Sequence, residues 1–378
     1  MFKVREIDKP LILAMMALVA IGFVMVWSTS YIMAMKRYGN EYFFVRKHLI
    51  FITLGFFLFF IAANVEYHLY QRWTYFIFFA SLMSLIILIF LPGIGGEAGG
   101  ARRWIRLGLI TFQPSEPAKL AVIIYLSYYL AAKKEKLKSF AVGIVPPMIM
   151  SGLITALILK EPDFGTAVSL GAMSIIMMFI AGVRLRYLFS ILLAAMPFIY
   201  LMVTKVDYRM KRVLVFLDPW RDSGGAGFQL VQSLIAFGAG GIWGVGLGEG
   251  KQKLFYLPEA HTDFILSVVG EELGLIGISA VIILYLTILF SGIRIALKAK
   301  DLYGRYLAVG ITLLIVLQAA TNMAVVLALL PTKGLTLPFI SYGGTSLVVN
   351  MTAMGILLNI YKTGVRSHLS AVSQAGGA

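Results

Sequence analysis

Cysteine is absent from the 378 residues of this chain, and charged residues make up only 13% of them. The lack of cysteine excludes disulfides, thiolate metal sites and a cysteine nucleophile. Apolar residues reach 60%, whereas an ordinary soluble domain is about half apolar and about a quarter charged. The solvent for most of this chain is therefore lipid.

Long apolar runs take up most of the sequence. They fall near residues 11–31, 47–64, 73–92, 117–132, 141–159, 165–182, 187–204, 264–292, 306–330 and 345–361. Each is close to the roughly 20 residues that cross a bilayer as a helix, and backbone in lipid must satisfy its own hydrogen bonds. The sequence predicts an all-α polytopic membrane protein of about ten transmembrane helices, with a long extracytoplasmic loop at 205–263 between spans seven and eight.

This pattern leaves no room for a separate soluble domain. Residues 1–366 are predicted to form a single ten-helix membrane domain. Its first apolar run is too long for a signal peptide and lacks a small-residue cleavage site. The small, polar residues 367–378 are predicted to be a disordered cytoplasmic tail.

Short basic loops set the predicted orientation. Basic residues cluster at 133–138, between spans four and five, and again at 294–305, between spans eight and nine. Such loops face the cytoplasm, so both termini are predicted to lie there. Only 5 of the 18 acidic residues fall on that side and 13 fall outside, which places the expected chemistry on the outer face.

The first outer segment with reactive side chains lies between spans three and four. Arg102, Arg103 and Arg106 are candidates to bind phosphate or diphosphate, because guanidinium groups pair bidentately with phosphate oxygens. Anchoring at lipid headgroups is the alternative. Glu116 and Lys119 share one helix face at the mouth of span four and form either a structural salt bridge or a substrate contact.

Two further outer segments contain acids or glycines. Glu161 and Asp163, between spans five and six, are candidates to bind a cation or a sugar hydroxyl, or to cap the next helix. The glycine-rich stretch 238–250 does not match a phosphate-binding loop, because no Ser or Thr follows Lys251. Within it, Gly240, Gly244 and Gly248 favour close backbone packing in a half-buried or re-entrant loop.

The long loop ends in Glu259, His261 and Asp263, immediately before span eight. Asp263 is expected in the first turn of that helix, where free backbone N–H groups favour its anionic form. It is either a helix cap or a general base at the lip of an outward-facing cavity, with Glu259 and His261 beside it. Arg212 and Lys333 add two outer cations.

Six segments occur in the order GARRWIRLG, FQPSEPAKLA, EPDFGTA, FLDPW, QKLFYLPEAHTDFILSVVGEELGLIG and LPTKGLTLPFISYGG. With them the chain resembles the SEDS (shape, elongation, division and sporulation) family from its first span to its last. The segments QKLFYLPEAHTDF and LPTKGLTLPF are more similar to the division members of that family than to the elongation members.

The resemblance implies a peptidoglycan glycosyltransferase in the bacterial cytoplasmic membrane, at the division septum. It would polymerise lipid II and release polyprenyl diphosphate. The implied partners are a class B penicillin-binding protein as transpeptidase and other division proteins of the membrane, with no nucleic acid. The essential outer aspartate of the family falls on Asp263. Arg103, Arg212, Lys119 and Lys333, or a divalent cation such as Mg²⁺ or Mn²⁺, would stabilise the leaving diphosphate.

Three other functions fit the membrane topology. A flippase or other transporter of lipid-linked precursors would place ionisable residues near the bilayer midplane and often repeats its halves. Here the charges concentrate at one face, and no internal repeat is evident. An elongation polymerase of the same family is the second alternative. A membrane scaffold is the third, and it leaves the charged outer loops without a task.

Overall fold

The structure, a computed structural model, describes residues 7–90, 95–98, 101–107, 110–254 and 257–375. The described residues contain fourteen α-helices. They are α1 (Lys9–Tyr38), α2 (Phe43–Asn64), α3 (His68–Arg72), α4 (Thr74–Phe90), α5 (Ser115–Ala132), α6 (Phe140–Gly143), α7 (Val145–Lys160), α8 (Phe164–Ile180), α9 (Leu185–Thr204), α10 (Asp207–Leu217), α11 (Phe228–Gly240), α12 (Ile265–Lys298), α13 (Leu302–Val326) and α14 (Gly344–Ala375).

Local chemistry sets the ends of α1. The Asp8 side chain accepts the Leu11 backbone N–H at 3.1 Å, and Pro10 stands in the first turn, where its missing N–H has no cost. Gly39 ends the helix at φ 65°, a left-handed conformation that glycine adopts without strain. The polar residues around the apolar run therefore define a 30-residue helix.

The polytopic helical membrane architecture is confirmed, and each of the ten predicted spans falls on a helix. Within the described residues, seven helices are long and apolar enough to cross a membrane. Helices α4 and α8 have only 17 residues each. The number of ten spans therefore stays a prediction.

Helix α13 lies at the centre of the bundle, in contact with α5, α8, α12 and α14. Small residues allow this close packing: a Cβ atom on Gly310 would lie only 2.4 Å from the Ile123 side chain. Helix α9 lies at the periphery. Of the residues in its most apolar stretch 6% are buried, against 72% in α14.

The outer segment after α4 departs from the all-α prediction. It forms an antiparallel sheet of β1 (Gly95–Ala98), β2 (Ala101–Leu107) and β3 (Ile110–Phe112), in the order β1-β2-β3. Outside the apolar helices the backbone is free to pair between strands, and β2 and β3 contain strand-favouring residues in Trp104–Ile105 and Ile110–Phe112. Thr345, at the start of α14, donates to the Thr111 carbonyl and accepts from the Gln113 N–H, which fixes the sheet to the bundle.

The long outer loop is folded, and α11 runs beside the beginning of α12 in the same direction. The hydroxyls of Ser233 and Ser267 are 2.6 Å apart, and a Cβ on Gly240 would lie 1.9 Å from the Gly270 carbonyl oxygen. The chain thus enters the bundle with α11 and returns outward after it, which is a re-entrant course. The close packing predicted for Gly240 is confirmed.

The same loop supplies hydrogen-bond partners where α12 is interrupted. Gly274 is non-helical (φ 63°, ψ −161°). The Val245 N–H donates to the Glu271 carbonyl at 3.0 Å, and the Leu275 N–H donates to the Gly241 carbonyl at 2.9 Å. The interrupted backbone is therefore satisfied by protein, as it must be within a membrane.

Two other glycines of this stretch differ from each other. The close approach predicted for Gly244 is confirmed, because a Cβ there would lie 2.2 Å from the Glu272 carbonyl oxygen. The prediction is wrong for Gly248, where a Cβ would meet nothing within 4 Å. Its φ of +86° explains the glycine instead.

Helix α14 continues to Ala375, although the sequence predicts a disordered tail from residue 367. Neither proline nor glycine interrupts residues 365–375, so the helix can propagate beyond the apolar part. Residues 376–378 of the predicted tail lie outside the described residues.

Candidate active site

Asp263 lies just before α12 and not in its first turn, as the sequence led us to expect. The helix begins at Ile265, with Phe264 at the N-cap position. A turn formed by the bond from the Phe264 N–H to the Glu259 carbonyl holds the aspartate outside the helix. Among the described residues, no backbone N–H of α12 donates to its carboxylate, a geometry that does not favour the helix-cap interpretation.

Two segments meet at Asp263: the aspartate segment (257–264) and the proline segment (331–343). Ser341 Oγ donates to the Thr262 carbonyl at 2.6 Å. The Asn322 amide, buried in α13, donates to the Asp263 carbonyl at 2.8 Å and to the Leu335 carbonyl at 2.7 Å. The backbone around the carboxylate is therefore fixed from both sides, which preorganises its position.

Arg103 in β2 approaches from the sheet. Its Nε donates to the Glu161 carbonyl at 3.1 Å and its Nη2 donates to the Pro162 carbonyl at 2.5 Å. These two bonds fix the guanidinium plane without neutralising its charge. The Nη1 side of the group is directed toward the proline segment.

Gly334 lies between the carboxylate and the guanidinium. A Cβ atom placed on it would be 3.3 Å from Asp263 Oδ2 and 3.8 Å from Arg103 Nη1. The missing side chain thus leaves one small space that is bounded by an acid and a cation. A reacting group in this space would touch both.

A cavity of about 220 Å³ opens beside this space, with Gly334 in its wall. Four cationic side chains line it, against the one acid Asp163. They are Arg103, Arg209, Arg212 and Lys333. None of the four forms an ion pair with an acid among the described residues, so the cavity has an uncompensated positive charge that suits an anionic ligand.

The other two arginines of the cavity are held by neutral groups. Arg212 donates to the Thr332 carbonyl at 3.2 Å, and Arg209 stands over the Phe164 ring with its guanidinium carbon 5.2 Å from the centroid. Burial lowers the pKa of Lys333. Predicted sites Arg103, Arg212 and Lys333 therefore come together in one cavity.

The electrostatic environment shifts the pKa of Asp263. Burial raises this pKa from 3.8 to about 7, Glu259 and Asp163 add to the rise, and Arg103 and Arg212 oppose it. A carboxyl group with a pKa near the working pH is both sufficiently ionised and sufficiently basic to accept a proton.

His261 and Glu259 lie close to Asp263 in the chain but have structural contacts. The His261 ring packs on Phe44 (centroids 5.1 Å apart) and on Tyr342 (5.8 Å), and burial lowers its pKa. The Glu259 carboxylate accepts from the Thr262 hydroxyl at 2.7 Å. Their predicted contact with substrate stays a prediction.

Glu116 and Lys119 are buried in α5, where Lys119 Nζ is 3.0 Å from Glu116 Oε1. Lys119 also donates to Gln318 Oε1 at 2.8 Å, and the Gln318 amide donates to the Thr336 carbonyl at 2.9 Å. The pair thus stabilises the proline segment through Gln318. This contact favours the structural salt bridge over the substrate contact. Neither residue lines the cavity.

Asp163 and Glu161 have different environments within one turn. Asp163 caps α8 by accepting the Thr166 N–H at 3.1 Å and its hydroxyl at 2.8 Å, so the capping alternative is confirmed. Glu161 is 2% exposed, and both its carboxylate oxygens lack a hydrogen-bond partner. Burial and the nearby Asp163 raise the pKa of Glu161 to about 8, against the opposing effect of Arg103.

Two predicted site residues cannot be placed. The backbones of Arg102 and Arg106 belong to β2, but their side chains lie outside the described residues. Arg209 and Asn322 were missed as site residues by reasoning from the sequence. Asn322 had a usable signal, since a polar side chain within an apolar span usually faces the bundle interior.

The predicted divalent cation stays a prediction. Among the described residues, no group of three or more His, Asp or Glu side chains could hold a metal ion. The residues present therefore do not fit a metal bound by protein alone. The arginines and the lysine of the cavity are the groups that the chain itself offers to a diphosphate.

Residues 9–365 match the family FTSW_RODA_SPOVE, described as a cell cycle protein. This chain belongs to that family, and the SEDS resemblance predicted from its motifs is confirmed.

The relatives named FtsW agree with the predicted similarity to the division members of the family. The chain is 48% identical over 358 residues to a probable peptidoglycan glycosyltransferase FtsW of Geobacter metallireducens, which covers 95% of both chains. It is 39% identical over 353 residues to stage V sporulation protein E of Bacillus subtilis, which covers 93% of this chain and 96% of the relative.

Solved structures share the fold. A chain of a peptidoglycan synthase complex has a TM-score of 0.78 at 29% identity, covering 95% of this chain and 98% of that one. The rod shape determining protein RodA of Thermus thermophilus has a TM-score of 0.69 at 25% identity, covering 94% and 96%.

Proposed function

We propose that this chain is an FtsW-type peptidoglycan glycosyltransferase that polymerises lipid II during septal cell-wall synthesis. The identity to proteins named FtsW supports this proposal. The observation that carries it is the space at Gly334, which Asp263 Oδ2 and Arg103 Nη1 bound at the edge of a cation-lined cavity. An acid and a cation facing one point suit a transfer from a diphosphate to a hydroxyl.

The reaction is a single displacement. The acceptor sugar hydroxyl oxygen attacks the anomeric carbon of the donor, and the bond from that carbon to the diphosphate oxygen breaks. The acceptor proton passes to Asp263, and the lipid diphosphate leaves with the electron pair. One displacement inverts the anomeric configuration and needs no second carboxylate as nucleophile.

Positive charge stabilises the leaving group. Negative charge accumulates on the diphosphate as the bond breaks, and preorganised cations act most strongly where they need not move. Arg103 and Arg212 are already fixed by backbone carbonyls. Lys333 contributes a further cation from the proline segment. The buried Lys119 is instead assigned a structural role, in which it supports the proline segment through Gln318.

The proposal includes orientation and partners. The basic inner loops support termini in the cytoplasm and a cavity open to the exterior. A class B penicillin-binding protein is the proposed transpeptidase partner, supported by the similarity to a chain of a peptidoglycan synthase complex. Location at the septum and contact with other division proteins belong to the same proposal, supported by the similarity to proteins named FtsW.

Purified protein in liposomes with lipid II tests the proposal, with and without its transpeptidase. We expect glycan strands, resolved by gel electrophoresis. Folded protein that forms no strands in either condition would contradict it. Movement of the lipid II headgroup across vesicles without polymer would favour the flippase instead.

A further inference from the structure

Five ring side chains cluster at the end of the bundle that holds Asp263, where α1 is followed by α2. They are Tyr38, Phe43, Phe44, His261 and Tyr342, and we call them the ring cluster. Tyr38 and Phe43 stack with their centroids 3.9 Å apart, and Phe44 lies edge-on to Tyr342 at 5.4 Å. The cluster therefore joins the loop between α1 and α2 to the aspartate and proline segments.

The ring cluster begins beside the backbone that carries the proposed base. The Tyr342 N–H donates to the His261 carbonyl at 3.0 Å. The His261 ring lies 5.1 Å from the Phe44 ring, which in turn lies 5.8 Å from the Tyr38 ring. From a point two residues before Asp263, the rings thus extend away from the catalytic space as far as Tyr38.

The ring cluster and the cation-lined cavity lie at opposite ends of the proline segment. Residues 331–334, at the beginning of the segment, line the cavity together with Arg103 and parts of α8, α9 and α10. Tyr342, near the end of the segment, belongs to the ring cluster, and none of the five rings lines the cavity. The aspartate segment runs alongside, with Asp263 at the Gly334 end and His261 at the Tyr342 end.

An inverting displacement fixes where the acceptor sugar lies. The attacking hydroxyl must enter on the face of the donor sugar that is opposite to the leaving group. With the diphosphate among the cations, the acceptor lies on the side of the base, because Asp263 takes its proton. The ring cluster is the surface that continues from the aspartate segment away from the cations.

The ring cluster also has the chemistry of a sugar site. Tyr38 is 45% exposed, and the other four rings are half-buried, so a ligand can reach them. The C–H groups on one face of a sugar ring pack well on an aromatic face, which is electron-rich. The Arg37 guanidinium carbon lies 5.9 Å from the Tyr38 ring centroid, and its N–H groups can donate to sugar hydroxyls.

We infer that the ring cluster binds the sugar of the acceptor substrate, with Tyr38 as a stacking surface. This inference rests on the proposed function, because it states where the second substrate of that reaction lies. Two other occupants, lipid headgroups and a partner protein, are outcomes of the tests below.

Two analogues of lipid II separate the acceptor from the donor. One has its acceptor hydroxyl blocked and serves only as donor. The other has a methylene in place of the anomeric oxygen, so it cannot release its diphosphate and serves only as acceptor. Protein in nanodiscs should couple one molecule of each, as measured by mass spectrometry. We expect Tyr38→Ala to raise KM for the acceptor analogue about fivefold and to leave KM for the donor analogue unchanged. An equal rise in both KM values, or no rise, would overturn the inference.

Two variants provide the controls. Tyr38→Phe keeps the ring and should recover most of the affinity for the acceptor analogue. Tyr200→Ala removes a tyrosine of α9 that is 67% exposed and lies outside both the ring cluster and the cavity lining. If Tyr200→Ala changes the acceptor KM as much as Tyr38→Ala does, the rings are membrane anchors and the inference is wrong. If Tyr38→Ala weakens only copurification with the transpeptidase, the cluster is a protein contact and the inference is equally wrong.

A photoreactive group on the sugar of the acceptor analogue tests binding without requiring turnover. With wild-type protein we expect crosslinked peptides from residues 37–44 or 257–264, and excess unlabelled acceptor analogue should compete. If wild-type protein polymerises lipid II but the crosslinks lie elsewhere, the inference is wrong and the proposed function stands. If the crosslinks lie in the ring cluster but no polymer forms, the proposed function fails alone.

Discussion

The two ends of the helix bundle hold their charged residues in different ways. At the inner end, which is named for its predicted cytoplasmic orientation, Asp301 caps α13 by accepting the Gly304 N–H at 2.7 Å. It also accepts bonds from Tyr67 and His68. Burial alone would raise the pKa of Asp301, but these hydrogen bonds hold it below its usual value. Every contact of this acid stabilises the folded structure.

The outer end has the opposite arrangement. Arg103 and Arg212 are fixed by backbone carbonyls and keep their charge. The Glu161 carboxylate is buried without a hydrogen-bond partner, and the pKa of Asp263 is raised by burial. Around the cavity, ion pairs that would stabilise the protein are thus replaced by groups that are positioned but uncompensated, whereas Glu116 and Lys119 in α5 keep their ion pair.

This difference separates stability from function. A charged group whose hydrogen bonds and ion pairs are all made within the protein does not bind a ligand well. A charged group that is fixed but unpaired is available to bind one. Substitution of Asp301 at the inner end should therefore change folding, and substitution of Asp263 or of the cavity arginines should change turnover.

The largest expected effect is at Asp263. Asp263→Asn keeps the shape but removes the base, so we expect polymerisation to fall by about 10²–10⁴-fold, with thermal stability near that of wild type. The inner control is Asp301→Ala, which should lose about 1 kcal/mol or more of stability through the missing cap and keep its turnover per folded molecule. Gel assays measure polymerisation and thermal unfolding measures stability for both variants. An active Asp263→Asn protein would contradict the role of Asp263 as the base.

Gly334→Val should have the next largest effect. Its branched side chain would fill the space between Asp263 Oδ2 and Arg103 Nη1, and we expect about 100-fold slower polymerisation, because small displacements of reacting groups have large effects. Gly238→Val is a control in open space. Turnover of the two variants at the same rate would show that the space is not used.

The pH dependence of turnover sharpens the role of Asp263. Its raised pKa leaves it partly protonated at neutral pH, and only the ionised form accepts a proton. Polymerisation should therefore rise with pH through a midpoint of about 7. Arg103→Gln removes a cation that lowers this pKa, so its midpoint should move to higher pH, besides a loss of rate. An unchanged midpoint would show that Arg103 does not lower the pKa of Asp263.

Glu161 gives the smallest expected effect on turnover, and its substitution is expected to change the pH dependence of stability. Its pKa is about 8 when folded and about 4.5 otherwise, so the folded state holds a proton that the unfolded state loses. Stability should fall as pH rises from about 4.5 to about 8, by up to about 1.4 kcal/mol per pH unit. Glu161→Gln should show a flatter profile in thermal unfolding, and identical profiles would refute the buried, protonated carboxyl.

Particular residues show where prediction from the sequence ends. The apolar periodicity located the helices, and the position of Asp263 before an apolar run marked it as a helix cap or a base. The choice between these depends on the turn that ends at Phe264, which a hydropathy pattern does not encode. Lys119 was expected among the diphosphate cations, and only the packing of α5 against α13 shows it bonded to Gln318.

The sequence by itself determined the membrane solvent and the helical class of the chain, because lipid imposes length, apolarity and internal hydrogen bonding on every span. Only the tertiary structure decided which charges are paired. Lys253 and Glu272 form a buried ion pair at 2.7 Å, whereas Arg103 and Asp263, far apart in sequence, share an open space at Gly334. Such contacts arise from the packing of the aspartate and proline segments, which no local pattern specifies.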